Sequence, residues 1–322
     1  MIATFSRRAP DADVPAPTAD SSPSATPCPP TKDDGVFRRV LVGFDGSPSA
    51  EDALALARRL RDPDHGALTL ARVVPTRHWP LAQHAAADER VLETTALVLA
   101  GARARLPTEL PVRLRAPQAS SPARGLTELA ESERSDVVVV GSSGRAVAGR
   151  LTLGGTANRL LQGAPCAVAV APAGVRATES FRHVGVAYDG SPEAESALAA
   201  GYAIAVAAGA AVTLFHVLLG GPALDGDLAR GHLRARLDAQ ERLDAAADGA
   251  PPGVNPRTVL LHDGVPGAAI GEACDGIVDL MVTGSRSYGP VQRALLGSVA
   301  HDLMEGAVHP VLVVPRVAAA VV

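Results

Sequence analysis

Two stretches of small residues could do chemistry: GSSGRAVAGRLTLGGT at 141–156 and GSRSYGPVQRALLGSV at 284–299. In the first, Gly141 and Gly144 are followed, after nine residues, by Gly154, Gly155 and Thr156. In the second, the corresponding series is Gly284, Ser287, Gly297, Ser298 and Val299. Glycine lets a backbone turn sharply and lets its N–H groups come close to a ligand. TANRLLQGA and SVAHDLMEGA, which follow, read as helices, and a helix start offers free N–H groups to an anion. Thr156 or Ser298 would add a hydroxyl. Two small-residue corners flanking one cleft suit a polyphosphate better than a single small anion. There is no lysine in either stretch and no G-x-x-x-x-G-K-[ST], so this is not a Walker A loop; G-x-G-x-x-G is absent as well.

Each stretch follows a hydrophobic run, DVVVV at 136–140 and VDLMVT at 278–283. RRVLVGFDGSPSAEDALALARRL reads strand, turn, helix, with Ser47 as N-cap and Pro48 in the first helical position. RHVGVAYDGSPEAESALAAGYAIA repeats that pattern. Asp45 and Asp189, Val73 and Val217, Pro122 and Pro266 are each 144 residues apart. Asp136 and Asp279, Gly141 and Gly284, Gly154 and Gly297, Pro172 and Pro315 are each 143 apart. A register kept over half a chain with one single-residue slip marks an internal duplication. The predicted organisation is a disordered tail over 1–35, a first domain over 36–173, a linker over 174–179, a second domain over 180–317 and a short end over 318–322. Strands alternating with helices predict an α/β fold, with two tandem five-stranded parallel sheets covered on both faces. Ligands of such sheets bind beyond the C-terminal strand ends, where both glycine stretches fall.

Composition narrows the function. The chain has 322 residues, 47% of them hydrophobic, with a formal net charge of −4 and 3% aromatics. That balance speaks against nucleic-acid binding, which favours a basic face and stacking rings. Cys28, Cys166 and Cys274 lie far apart, with neither zinc-site nor disulfide spacing, and fit a reduced cytoplasm. MIATFSRRAP lacks a signal-peptide core. The stretch Ala197–Leu219 is long enough for a bilayer. Its Ala and Gly content favours a buried helix stopping near Gly209, then a strand, so no membrane partner is expected.

With these residues assembled, the chain resembles the universal stress protein family over both halves. The resemblance rests on G-x-x-G, nine residues, then G-[S/T] after a hydrophobic strand, with Asp-Gly-Ser after the first strand. It implies a Rossmann-like, adenine-nucleotide α-hydrolase-like sandwich in each half and binding of ATP, with Mg²⁺ as its companion ion. It places Asp45 and Asp189 near the adenosine and Val73 and Val217 near adenine. Ribose and phosphates would lie at Gly141, Gly144 and Gly154, and at Gly284, Gly297, Ser298 and Val299. It further implies pairing of domains through the last strands, CAVAVAP and PVLVVP, within one chain or in a homodimer. Two departures stand out. Gly155 occupies the Ser/Thr place of the motif, with Thr156 one residue late, a rotation of about 100° on a helix. Ser287 stands where the second glycine is usual, costing roughly 1–2 kcal/mol if that place needs a left-handed backbone. The second half is the better phosphate holder by its hydroxyl, the first by its glycines.

Simpler roles compete at each position. Asp-Gly-Ser also makes an ordinary turn into a helix. Val73 and Val217 suit a core with or without adenine. Arg145, Arg150, Arg286 and Arg293 could screen phosphates or simply be solvated. His309 reads as a loop residue, and Trp79 as either near the cleft mouth or a loop staple. Three functions follow: an ATP-binding stress or signalling module that is not a dedicated enzyme, a slow hydrolase or phosphotransfer timer, and a scaffold with one or both sites vestigial.

Overall fold

A computed structural model describes residues 37–76, 84–143, 150–174, 180–218, 226–262, 265–285, 297–305 and 307–315. Gly144, Ser287, Trp79, Cys28, Arg145, Arg286 and Arg293 lie outside these ranges, as do the tail over 1–35 and all but Gly174 of the linker over 174–179.

Ser47 and Ser191 start the two related helices in the same way. Each holds extended backbone, and each hydroxyl accepts the N–H three residues on, from Ala50 at 3.3 Å and Ala194 at 3.2 Å. A proline follows each cap, where its missing N–H costs no hydrogen bond. The first half runs β1 (Arg39–Gly43), α1 (Pro48–Leu60), β2 (Ala67–Ala71), β3 (Val74–Pro75), α2 (His84–Ala104), β4 (Val112–Arg115) and β5 (Gln118–Ala119). It continues with α3 (Pro122–Ser132), β6 (Val137–Gly141), α4 (Gly155–Leu161) and β7 (Ala167–Ala171). The second half runs β8 (His183–Ala187), α5 (Pro192–Ala208), β9 (Ala211–Leu218), α6 (Gly226–Asp248) and β10 (Arg257–His262). It ends with α7 (Pro266–Cys274), β11 (Leu280–Gly284), α8 (Ser298–Met304) and β12 (Val311–Val314). Helix α5 stops at Gly209, whose φ of +64° closes the helix in the left-handed region. The Ala-rich stretch is thus helix then strand, and no helix among the described residues is long and apolar enough to cross a membrane.

Within each half, five strands are parallel, ordered β7-β6-β1-β2-β4 and β12-β11-β8-β9-β10. The α/β fold with a large, mostly parallel sheet is therefore the observed one. β7 and β12 pair antiparallel, Val170 opposite Val311 and Val168 opposite Val313, so ten strands form one sheet. Alternation along each strand divides the core in two. Val40, Val42, Val137 and Val139 join the layer under α1, α2, α5 and α6. Leu41, Val138, Val140 and Val168 join the layer under α3, α4, α7 and α8.

Two carboxylates pin the strand starts. Asp136 Oδ2 accepts the N–H groups of Arg38 at 3.0 Å and Arg39 at 2.7 Å. Asp279 accepts those of Arg182 at 2.9 Å and His183 at 3.1 Å. Across the halves, the Arg59 guanidinium lies 4.0 Å from the Phe181 ring centroid and 3.7 Å from Asp279 Oδ2. Burial lowers its pKa, with Asp279 opposing that shift.

Candidate functional site

The order of strands reverses beside β1 and beside β8, and a cavity opens above each reversal. The first, of about 450 Å³, is lined by Asp45, Val73, Gly141, Gly154, Gly155 and Thr156 among others. The second, of about 520 Å³, is lined by Asp189, Val217, Gly284, Gly297 and Val299 among others. The described candidates of each half thus converge on one cavity, except that nothing is described of the Ser298 side chain beyond its place at the start of α8.

The floor is made by strand ends and the walls by helix starts. Gly154 and Gly297 both sit before their helix with extended backbone, φ −81° and −73°. Gly155 and Ser298 therefore hold equivalent first positions, and Thr156 and Val299 equivalent second ones. Thr156 still lines the first cavity, one place away from the usual hydroxyl.

The aspartates are partly spent on the turn. Asp45 Oδ1 accepts the Ser47 N–H and Asp189 Oδ1 the Ser191 N–H, both at 2.9 Å. Gly46 and Gly190 between them take φ of +88° and +79°, a backbone that disfavours any side chain. Each carboxylate is exposed and keeps a second oxygen as acceptor.

Gly141 and Gly284 have a cause that spacing alone did not suggest. A Cβ on Gly141 would fall inside 3.0 Å of the Ser49 carbonyl, and one on Gly284 would lie 2.6 Å from the Glu193 carbonyl. Neither glycine takes a left-handed φ. They are glycines because the first turn of α1 or α5 rests directly on the strand end. Gly155, by contrast, would find no atom within 4 Å of an added Cβ.

Several lining residues were not singled out from the sequence. Ser142 Oγ donates to the Thr152 carbonyl at 3.0 Å and accepts the Thr152 N–H at 2.7 Å, drawing the two ends of the glycine stretch together. Its counterpart Ser285 is 1% exposed, and its hydroxyl finds no partner among the described residues. The signal was available, since Ser142 and Ser285 follow the paired glycines in register. Tyr188 lines the second cavity and donates its hydroxyl to Glu195; burial first, then that carboxylate, pushes its pKa up. Phe215 and Thr283 complete that floor. His309 is buried, and burial lowers its pKa.

The family model described as "Universal stress protein family" matches residues 37–172 and again 180–315. A universal stress protein of Mycobacterium tuberculosis is 32% identical over 140 residues, 41% of this chain and 48% of that protein. The chain spans about half the length of the curated relatives it matches. Among solved structures, a universal stress protein from Archaeoglobus fulgidus aligns with a TM-score of 0.62 at 18% identity, over 87% of this chain and 98% of that one. A functionally unknown protein from Pseudomonas aeruginosa aligns at 0.59 with 17% identity, over 87% and 93%. The second pair of likenesses bears on the fold alone. The double match of the family model covers most of the chain, and the chain belongs to the universal stress protein family.

Proposed function

We propose that the chain is a cytoplasmic stress-response or signalling module that binds adenine nucleotide, ATP foremost, in the cavity of each half. The observation carrying this is the second cavity. Its volume of about 520 Å³ lies within the usual range for small-ligand sites. Val217, Phe215, Ile270 and Ala300 give it apolar walls suited to a purine. Asp189 offers an acceptor to ribose hydroxyls, and the buried Ser285 hydroxyl finds no partner among the described residues. A buried polar group without a partner costs about 1–3 kcal/mol, so a ligand that satisfies it gains correspondingly. The first cavity repeats the frame with Asp45, Val73, Gly154 and Thr156. The β7–β12 ladder supports a chain that supplies its own paired halves, with 36–173 and 180–317 as the two domains.

ATP with Mg²⁺ at a hundred times its Kd stabilises a protein by about 2.7 kcal/mol. The expected outcome is a melting temperature several degrees higher, together with nucleotide seen on the freshly purified chain by native mass spectrometry. No thermal shift at millimolar ATP and no bound nucleotide would remove the proposal.

A further inference from the structure

Gly154 and Gly155 line two cavities, not one. Beyond the first-half site lies a second space of about 500 Å³ between the halves, walled by Leu151, Leu153 and Asn158 and, from the second half, by His301 and Glu305. The partition between them is bare backbone. A Cβ on Gly154 would have no neighbour nearer than 3.6 Å, and one on Gly155 none within 4 Å. The corner is also anchored across the halves, because the Leu151 N–H donates to the Ala307 carbonyl at 2.7 Å. The second half therefore sets where the first half's glycines stand.

We infer that His301 of the second half completes the first-half site and makes it specific for the terminal phosphates of a nucleotide. This rests on the nucleotide-binding reading above. A phosphate chain passing Gly154 and Gly155 enters the space that His301 lines, where an imidazole N–H can donate to a phosphate oxygen. Glu305 Oε1 lies 3.5 Å from His301 Nε2 on the same wall. The relation is not reciprocal. The counterparts of His301 and Glu305, 143 residues earlier, are Asn158 and Gln162, a neutral pair joined at 3.1 Å. The second half instead carries Ser298 where the first has Gly155. One half owns a hydroxyl-bearing residue at its corner; the other borrows an imidazole.

The test titrates adenosine and ATP into the full chain, fitting two sites, for the wild type, His301→Ala, His301→Lys and the exposed control Gln162→Ala, which lies outside that space. His301→Ala is expected to weaken ATP at one site roughly tenfold, as for loss of one charge-assisted hydrogen bond. Adenosine should be unchanged at both sites, His301→Lys should restore ATP, and Gln162→Ala should behave as wild type. If the wild type binds both ligands and His301→Ala keeps its ATP affinity at both sites, the inference falls and nucleotide binding stands. Equal loss of adenosine and ATP in His301→Ala would mark a structural role and also overturn it. A wild type that binds neither ligand removes both readings.

Discussion

The two cavities share a frame and differ in filling. Both stand on a glycine strand end pressed by a helix start, with an Asp-Gly-Ser turn at one rim and a glycine-capped helix at the other. The filling has been exchanged in compensating pairs. The first half has Leu41 and Ala71 where the second has Gly185 and Phe215. A Cβ on Gly185 would lie 2.9 Å from Met281, 3.1 Å from Val278 and 3.2 Å from the Phe215 ring, so the ring shares with these two side chains the room that Leu41 fills in the other half. Backbone geometry has persisted while the wall chemistry has drifted, and two sites of one ancestry need not bind one ligand equally.

The largest expected effect tests that exchange. Phe215 is 2% exposed, and Phe→Ala in a core costs about 3–5 kcal/mol. Phe215→Ala alone should lower the urea midpoint accordingly. Adding Gly185→Leu rebuilds the first half's pair within the second; with Met281 and Val278 still against it, the new side chain should recover part of the loss. A double variant no more stable than the single one would show that the two floors are not interchangeable.

The next effect separates two uses of glycine. Gly141→Ala drives a methyl into the Ser49 backbone and should cost about 3 kcal/mol, at the upper end of overpacking. Gly155→Ala meets open space and should change stability by no more than about 0.5 kcal/mol, as exposed substitutions do. Chemical denaturation of the two variants decides this. Similar losses would mean that the α1 contact is not what requires glycine at 141.

These cases show which parts were legible in advance. The duplication follows from a register kept over half the chain, and the capped helix starts, the turn at Gly209 and the apolar strand Val137–Val140 follow from patterns within a few residues. Convergence of Asp45, Val73, Gly141 and Gly154 on one cavity followed from the rule that ligands sit beyond parallel strand ends. The reason for Gly141 did not, because its neighbour Ser49 lies far away in sequence. Neither did Phe215 over Gly185, nor Arg59 against Phe181 and Asp279. Spacing records which residues are small; only the packed chain shows what they make room for.

The smallest effect is the sharpest between the halves. Ser142 and Ser285 are the same residue at the same place; Ser142 has its partner in Thr152, and Ser285 has none among the described residues. Ser142 is tied twice to Thr152, and Ser142→Ala should cost about 1–2 kcal/mol through the lost hydrogen bonds and the stranded backbone N–H. Ser285 contributes a buried hydroxyl without a partner among the described residues, so Ser285→Ala should leave the unliganded chain as stable as before or slightly more so. With ATP present the order should invert: Ser285→Ala loses part of the thermal shift, and Ser142→Ala keeps its shift on a lower baseline. Paired melts with and without nucleotide measure this. Equal baseline losses in the two variants would show that Ser285 is held by the protein itself, and the second cavity would then have no unmet hydroxyl to offer a ligand.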